Sequence, residues 1–170
     1  MAFTGLPGTG KSALAEAVAS ALACPAFSVD PLEAVLLRAG ITREQRSDYA
    51  AYDLAAFCAQ EQVRRGLPAV VDAVNALPRL QRWWGDIAEC HGAAFRLIYT
   101  VCSDPELHRS RLETRHRNLD GFPYEPAWAD VRRRNYSPPT LPHLEVDAVE
   151  SLASNVDRIL TYVLGDGAER

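Results

Sequence analysis

Short apolar runs alternate with longer segments of helical periodicity along the whole chain. The first run, residues 1–4, precedes apolar positions at i, i+3, i+4, i+7 and i+8, namely Leu14, Ala17, Val18, Ala21 and Leu22. Further runs predict strands at 26–29, 69–72, 94–102 and 143–146. Because strands alternate with helices, the pattern predicts an α/β fold with three layers: a five-stranded parallel sheet with helices on both faces.

Helices are predicted between these strands, with glycine or proline near most of their ends. The predicted helices include 31–38, 47–65, one starting at Pro78, one starting after Ser103, one over 128–136 and a last one over 152–163. The helix over 47–65 is expected to bury Ala50, Leu54, Phe57 and Cys58. The helix after Pro78 is expected to bury Leu80, Trp83, Trp84, Ile87 and Ala88. Ser103 and Glu106 predict a capping box.

Length and composition predict one domain, spanning 1–170, of a soluble globular protein. The sequence has no run of 18 apolar residues and no secretory signal, so we expect a cytoplasmic protein without a membrane span. The widely spaced cysteines are expected to be buried free thiols in a reducing compartment: Cys24, Cys58, Cys90 and Cys102.

Arginine greatly outnumbers lysine in this chain, and many of the arginines are clustered. Lys11 is the single lysine among 18 basic residues, and seven of the 17 arginines lie between Arg109 and Arg134. This cluster predicts a small Arg-rich helical lid over about 109–136. The net charge of −4 argues against a protein that coats nucleic acid.

The segment after the first strand matches the P-loop (Walker A) pattern G-x-x-x-x-G-K-[ST] in full. Its eight residues are the candidate nucleotide-binding residues: Gly5, Leu6, Pro7, Gly8, Thr9, Gly10, Lys11 and Ser12. The glycines let successive backbone N–H groups point at one anion, and the helix N-terminus adds its positive end. Lys11 is expected to bridge the β- and γ-phosphates, and Ser12 to ligate Mg²⁺.

Two aspartates follow predicted strands. Asp72 is expected to face the P-loop and hold Mg²⁺ with Ser12, as a Walker B aspartate does; alternatively it satisfies the next turn. Asp30 is expected at the end of the strand beside the P-loop strand, where a carboxylate can accept the proton of an attacking hydroxyl. Alternatively, Asp30 caps the helix that Pro31 begins.

Arginines supply the remaining candidate site residues. Arg111 and Arg115 are four residues apart on one predicted helix face, and guanidinium groups suit the spread charge of a γ-phosphate. The alternative is surface ion pairing with Glu106 or Glu113. In the run 132–134, successive side chains fan out by about 100°, so one or two at most can face a ligand. The histidines show no metal-ligand spacing.

With these motifs in this order, the chain resembles small P-loop kinases. The most similar group contains polynucleotide 5′-kinase domains, zeta-toxin-like kinases and chloramphenicol phosphotransferase-like enzymes. The resemblance spans about residues 1–164 and rests on 5–12, 28–30, 70–72, Arg111 and Arg115. Residues 99–117 also look like the helix that enters the lid in predicted kinases. The resemblance implies ATP- and Mg²⁺-dependent transfer of the γ-phosphate to a hydroxyl, with Asp30 in the position of the base and the arginines on the donor phosphates.

The acceptor is expected to be a small molecule, because the acidic net charge disfavours a nucleic-acid track. The 5′-hydroxyl of RNA or DNA remains an alternative through the arginine cluster. A regulatory ATPase or switch without an acceptor is another alternative. A GTPase is disfavoured because the guanine motif N-K-x-D needs a second lysine. A AAA+ motor is disfavoured because it is longer and carries a separate helical domain.

Overall fold

The computed structural model of the chain describes residues 1–115 and 119–165. Five strands and seven α-helices are found in these residues. The strands are β1 (Ala2–Thr4), β2 (Ala26–Ser28), β3 (Val70–Asp72), β4 (Leu97–Val101) and β5 (His143–Asp147). The helices are α1 (Lys11–Ala21), α2 (Val29–Arg38), α3 (Ser47–Arg64), α4 (Pro78–Cys90), α5 (Pro105–Thr114), α6 (Trp128–Arg133) and α7 (Leu152–Leu164). A 3₁₀ turn, Arg43–Gln45, precedes α3.

The strands form one parallel sheet in the order β2-β3-β1-β4-β5. This confirms the predicted five-stranded parallel sheet. The expected position of β2 beside the P-loop strand is wrong, because β3 lies between β2 and β1. Phe3 of β1 pairs in register with Asp72 of β3, and Asp72 pairs in turn with Ser28 of β2. The carboxyl ends of the three strands therefore meet at one edge of the sheet.

Helices cover both faces of the sheet, as alternation along the strands requires. Ala2, Val71 and Leu97 point to the face covered by α3 and α4. Phe3, Val70 and Ile98 point to the opposite face, where Leu14 of α1 and Ile159 of α7 complete the core. The three-layer α/β architecture is thus confirmed, and α1, which follows the P-loop, is anchored in the second core.

The expected inner face of α3 is wrong. Its buried positions include the small residues Ala51, Ala55, Ala56 and Ala59, whereas Leu54 and Phe57 are exposed. The alanines let α3 lie close against its neighbours, and the larger apolar side chains remain outside. The inner stripe of α4 is closer to expectation: Trp84 and Ala88 are buried, and Trp83 and Ile87 pack against the same core.

Two further local expectations are wrong. The N-cap of α5 is Asp104, and not Ser103 as the predicted capping box requires. The Asp104 side chain accepts hydrogen bonds from the backbone N–H groups of Glu106 and Leu107. The cysteines are free, but Cys90 is exposed and the other three are half-buried. None of the described helices combines the length and apolar character needed to cross a bilayer.

Asn75 lies in the loop that follows β3, and its side chain is fully buried. Its backbone is in the left-handed region, with φ of 47°. The side-chain amide donates to the carbonyl of Phe3 at 2.7 Å and accepts from Trp84 Nε1 at 2.9 Å. Gln81 Nε2 donates to the Asn75 carbonyl at 3.0 Å. These bonds hold β1, the loop and α4 in a fixed arrangement beneath the P-loop.

Replacing Asn75 by alanine is expected to lower the free energy of unfolding by about 2–5 kcal/mol, because the Phe3 carbonyl and the Trp84 indole both lose a buried partner. Urea titration followed by fluorescence measures the change. Asn155→Ala is the comparison variant, because Asn155 is equally buried and its amide donates to the carbonyl of Asp147. We expect it to cost about half as much. An equal loss in both variants would contradict a special role for Asn75.

Candidate functional site

The P-loop connects β1 to α1 and turns sharply at its glycines. Gly8 has φ of 89° and Gly10 has φ of 80°, a region that L-residues with side chains rarely adopt. A Cβ at Gly8 would also lie 2.9 Å from His108 Cδ2. Gly10 is the residue before α1, and it lets the chain enter the helix with the free N–H groups of the first turn facing outward. This geometry makes the loop a receptor for an anion.

Hydrogen bonds within and behind the loop hold its shape. Thr9 Oγ1 donates to the Leu6 carbonyl at 2.8 Å and lies 2.7 Å from Thr100 Oγ1 at the end of β4. Lys11 Nζ donates to the same Leu6 carbonyl at 2.8 Å. Lys11 is only 8% exposed, so its ammonium is folded over the loop and not extended into water.

His108 supports the loop from α5, a role that sequence reasoning missed. Its Nε2 lies 2.7 Å from the Pro7 carbonyl, and because a carbonyl can only accept, Nε2 carries the proton. The buried ring meets Trp128 of α6 edge to face, with centroids 5.0 Å apart. The only signal in the sequence is that His108 stands three residues before Arg111, on the same face of α5. The P-loop is therefore bonded to α5 directly and joined to α6 through the His108 ring, and both helices lie wholly or partly within the predicted lid.

A cleft of about 530 Å³ opens above the P-loop. It brings together most of the residues predicted for the site, from β3, the P-loop and three helices: Gly8, Gly10, Lys11, Ser12, Asp30, Asp72, Arg111 and Arg115. The remaining P-loop residues, Gly5, Leu6, Pro7 and Thr9, are not among the residues that line it. Leu6, Pro7 and Thr9 serve the loop through the hydrogen bonds described above.

Asp72 and Ser12 are the two predicted metal ligands, and both line the cleft. Asp72 is only 6% exposed and accepts a hydrogen bond from Ser28 Oγ at 3.0 Å. Ser12, in the first turn of α1, is exposed. Within 1–115 and 119–165, no group of three or more His, Cys, Asp or Glu side chains could hold a metal. A carboxylate and a hydroxyl fit Mg²⁺, which binds few protein ligands and keeps most of its water.

Asp30 lies in the first turn of α2 and lines the cleft. The helix begins at Val29, and its N-cap residue is Ser28. The interpretation of Asp30 as the N-cap is therefore wrong; the helix starts two residues earlier than Pro31 suggests. Glu33, three residues further along α2, is buried and accepts hydrogen bonds from Arg43 and Ser47.

Arg111 and Arg115 reach the cleft from the end of α5. Arg111 Nη1 also donates to the carbonyl of Ala148 at 2.7 Å, which ties α5 to the segment after β5. Glu113 forms its ion pair with Arg109, at 2.8 Å, and not with either of the predicted arginines. Residues 116–118 lie outside the described residues, so the prediction of a lid over 109–136 and any role of Arg117 stay untested.

A second pocket, of about 500 Å³, adjoins the cleft at Asp30 and Val74. Its wall is formed by α2, the start of α3 and the segment 122–134, so we name it the α2–α3 pocket. Of the arginine run 132–134, Arg134 lines this pocket. Sequence reasoning did not predict it, since its two walls are some 70 residues apart in the chain.

Tyr52 lines the α2–α3 pocket, and its oxygen accepts a hydrogen bond from the backbone N–H of Asn75 at 3.4 Å. Burial raises the pKa of Tyr52 to about 12, and the carboxylates of Asp30 and Asp72 act in the same direction, while the Asn75 bond and Arg134 oppose them. The phenol is therefore protonated at neutral pH, and its O–H group can donate a hydrogen bond to a ligand in the pocket.

Comparison with known proteins agrees with this architecture. A family model described as an AAA domain matches residues 1–138. No curated protein matches the chain.

Several solved structures share the fold. A protein from Chloroflexus aurantiacus is 22% identical with a TM-score of 0.70, covering 93% of this chain and 94% of its own. The APS kinase of Mycobacterium tuberculosis, in complex with AMPPNP and APS, is 18% identical with a TM-score of 0.68 and coverage of 95% and 94%. Kti12 of Chaetomium thermophilum, in complex with ADP-AlF3, is 18% identical with a TM-score of 0.65 and coverage of 93% and 95%. At these identities the likeness establishes the common fold.

Proposed function

Because the chain belongs to the AAA-domain family and has the fold of small P-loop kinases, we propose that it is a phosphotransferase acting on a hydroxyl of a small molecule, with ATP and Mg²⁺. One observation carries the proposal: a P-loop lysine, two aspartates and two arginines line a single cleft that adjoins a second pocket at Asp30. The complexes of APS kinase with AMPPNP and of Kti12 with ADP-AlF3 support a nucleotide as the ligand of this fold.

The P-loop side of the cleft would hold the donor. Backbone N–H groups at the start of α1 and the Lys11 ammonium supply positive charge to the β- and γ-phosphates. Ser12 and Asp72 are the residues that would hold Mg²⁺, which, when bound, neutralises phosphate charge. Arg111 and Arg115 add guanidinium donors from the opposite side, where charge spreads over the transferred group.

Asp30 is the proposed general base. Asp30 and Val74 line both the cleft and the α2–α3 pocket, and of the two only Asp30 is ionisable. A hydroxyl group bound in that pocket would therefore lie beside a carboxylate at the junction with the donor cleft. The acceptor oxygen attacks the γ-phosphorus, its proton passes to the carboxylate of Asp30, and ADP leaves. The segment over about 109–136 would act as a lid that excludes water from this transfer.

The second pocket also favours a small-molecule phosphotransferase over the two alternative functions, a regulatory ATPase and a nucleic-acid kinase. A regulatory ATPase or switch needs no acceptor site beside its base, whereas this chain has room for one. A 5′-hydroxyl kinase needs a basic path for the nucleic-acid backbone, and the net charge is −4. A cytoplasmic location belongs to the same proposal.

Removal of Mg²⁺ is expected to lower acceptor-dependent ADP release by about 10²-fold or more, because uncompensated phosphate charge opposes attack by an oxygen nucleophile. Coupled-enzyme measurement of ADP, before and after EDTA and again after Mg²⁺ is restored, tests this. Undiminished release in EDTA would contradict the metal assignment.

Titration with ATP and GTP is the companion measurement, and tighter binding of GTP would overturn the choice of adenine.

A further inference from the structure

The α2–α3 pocket has an unusual balance of charge. Five carboxylates line it, against two guanidinium groups: Asp30, Glu33, Asp48, Glu125 and Asp130 against Arg43 and Arg134. An anion entering this pocket would approach an excess of negative charge, and a cation would be attracted.

One of the two arginines is already neutralised. Arg43 donates to both carboxylate oxygens of Glu33, at 2.6 and 2.9 Å, and its guanidinium stacks on the ring of Tyr124 at 3.3 Å. The hydrogen-bonded ion pair raises the pKa of Arg43, so its guanidinium stays charged. That charge balances the buried carboxylate of Glu33. The pocket then has three further carboxylates, those of Asp48, Glu125 and Asp130, beside the single remaining guanidinium of its lining, that of Arg134, which is itself exposed.

The other groups of the pocket suit a hydroxylated ligand. Because the Tyr52 oxygen accepts from Asn75, its proton is free to donate to a ligand oxygen. Phe122 and Tyr124 meet edge to face, with centroids 5.6 Å apart, and give the pocket an aromatic wall. Aromatic faces accept ammonium groups as well as the C–H faces of sugars.

We propose, on the basis of the phosphotransferase function above, that the α2–α3 pocket binds the acceptor and selects a hydroxyl compound that carries a positive charge, such as an amino alcohol or amino sugar, over an anionic one. Asp30 faces the reacting hydroxyl. Asp48 and Asp130 attract the ammonium, and Tyr52 positions a second oxygen. A 5′-hydroxyl oligonucleotide, as a polyanion, is excluded by the same carboxylates.

Two series of related hydroxyl compounds, each with a positively charged, a neutral and a negatively charged member, test this proposal on the full chain. The first is glucosamine, glucose and glucuronate, which share a sugar ring; the second is ethanolamine, ethylene glycol and glycolate. Binding to the protein with ADP present is measured by calorimetry, and phosphoryl transfer from ATP is measured separately. In at least one series we expect the amine to bind about tenfold more tightly than the neutral compound and about 100-fold more tightly than the acid at low salt. High salt should reduce both ratios.

Asp48→Asn is the test variant, and Asp53→Asn is its matched control. Both residues lie on α3, but Asp53 is exposed and outside the pocket. We expect Asp48→Asn to reduce the preference for amine over neutral compound by about three- to tenfold, and Asp53→Asn to leave it unchanged. Because the readout is a ratio of affinities within one variant, a partly unfolded sample does not alter it.

The outcomes separate the two proposals. Preferred binding and phosphorylation of the amine support both. Preferred binding of the amine without transfer to any compound supports the charge selection and counts against the phosphotransferase function. Tightest binding of the acid, equal binding within both series, or no binding in either series overturns the charge selection, whether or not transfer is observed. An unchanged preference in Asp48→Asn overturns the role of that carboxylate.

Discussion

Replacing Lys11 by methionine is expected to lower the rate of phosphoryl transfer by about 10²–10³-fold while leaving the fold intact. Methionine has a similar length but no charge, so the donor phosphates lose the ammonium that balances them. The loop should keep its shape, because the Leu6 carbonyl, which Lys11 bonds at 2.8 Å, also accepts from Thr9 Oγ1 at 2.8 Å. The melting temperature should therefore change little.

The control for Lys11→Met is Arg65→Met, which removes an exposed cation that follows α3 and lies outside the cleft. We expect it to retain the wild-type rate. Rates are measured as acceptor-dependent ADP release, and melting is followed by circular dichroism. A Lys11→Met protein with the wild-type rate would show that this lysine has only a structural role.

Replacing Asp30 by asparagine is expected to lower transfer by about 10²–10⁴-fold, because the amide cannot accept the proton of the attacking hydroxyl. ATP affinity should change little, since the P-loop and Lys11 remain. The helix should also remain, because its N-cap residue is Ser28 and the first-turn charge of Asp30 is worth about 0.3–1 kcal/mol.

The kinetic constants distinguish a base from a merely structural carboxylate. Loss of a base should lower kcat in Asp30→Asn while the KM for ATP stays near the wild-type value. Asp53→Asn, an exposed change on α3, should behave as wild type. Full transfer activity in Asp30→Asn would exclude this residue as the base.

The residues of the proposed donor half could be placed together from sequence because most of them are local. The eight P-loop residues are contiguous, and their glycine spacing follows from the backbone turn itself, as the φ values of Gly8 and Gly10 bear out. Asp72 could be placed near the loop because apolar runs end at the same edge of a parallel sheet. The lateral order of the strands is not a local property, which is why β2 was expected next to β1 when β3 lies between them.

The proposed acceptor half depends on contacts between distant segments. The α2–α3 pocket combines residues 29–52 with residues 122–134, and its charge balance rests on the pair of Glu33 with Arg43. The buried face of α3 was also predicted wrongly, because the prediction gave weight to its larger apolar residues. The helix instead buries its alanines and exposes Phe57, since close packing favours small side chains there. Asn75 acts through its side-chain hydrogen bonds with Phe3 and Trp84, and His108 acts through its hydrogen bond with Pro7. A lone polar residue in a sequence has no periodic pattern that would reveal such bonds.

The central claim is that the chain moves a phosphoryl group from ATP to a hydroxyl compound. The most direct measurement incubates the full chain with Mg²⁺, γ-labelled ATP and the charged and neutral compounds above, and identifies labelled products by mass spectrometry. The account predicts a phosphorylated hydroxyl compound formed in step with ADP, and neither above background with Lys11→Met. ADP accompanied only by inorganic phosphate, at a rate that no compound increases, would contradict it.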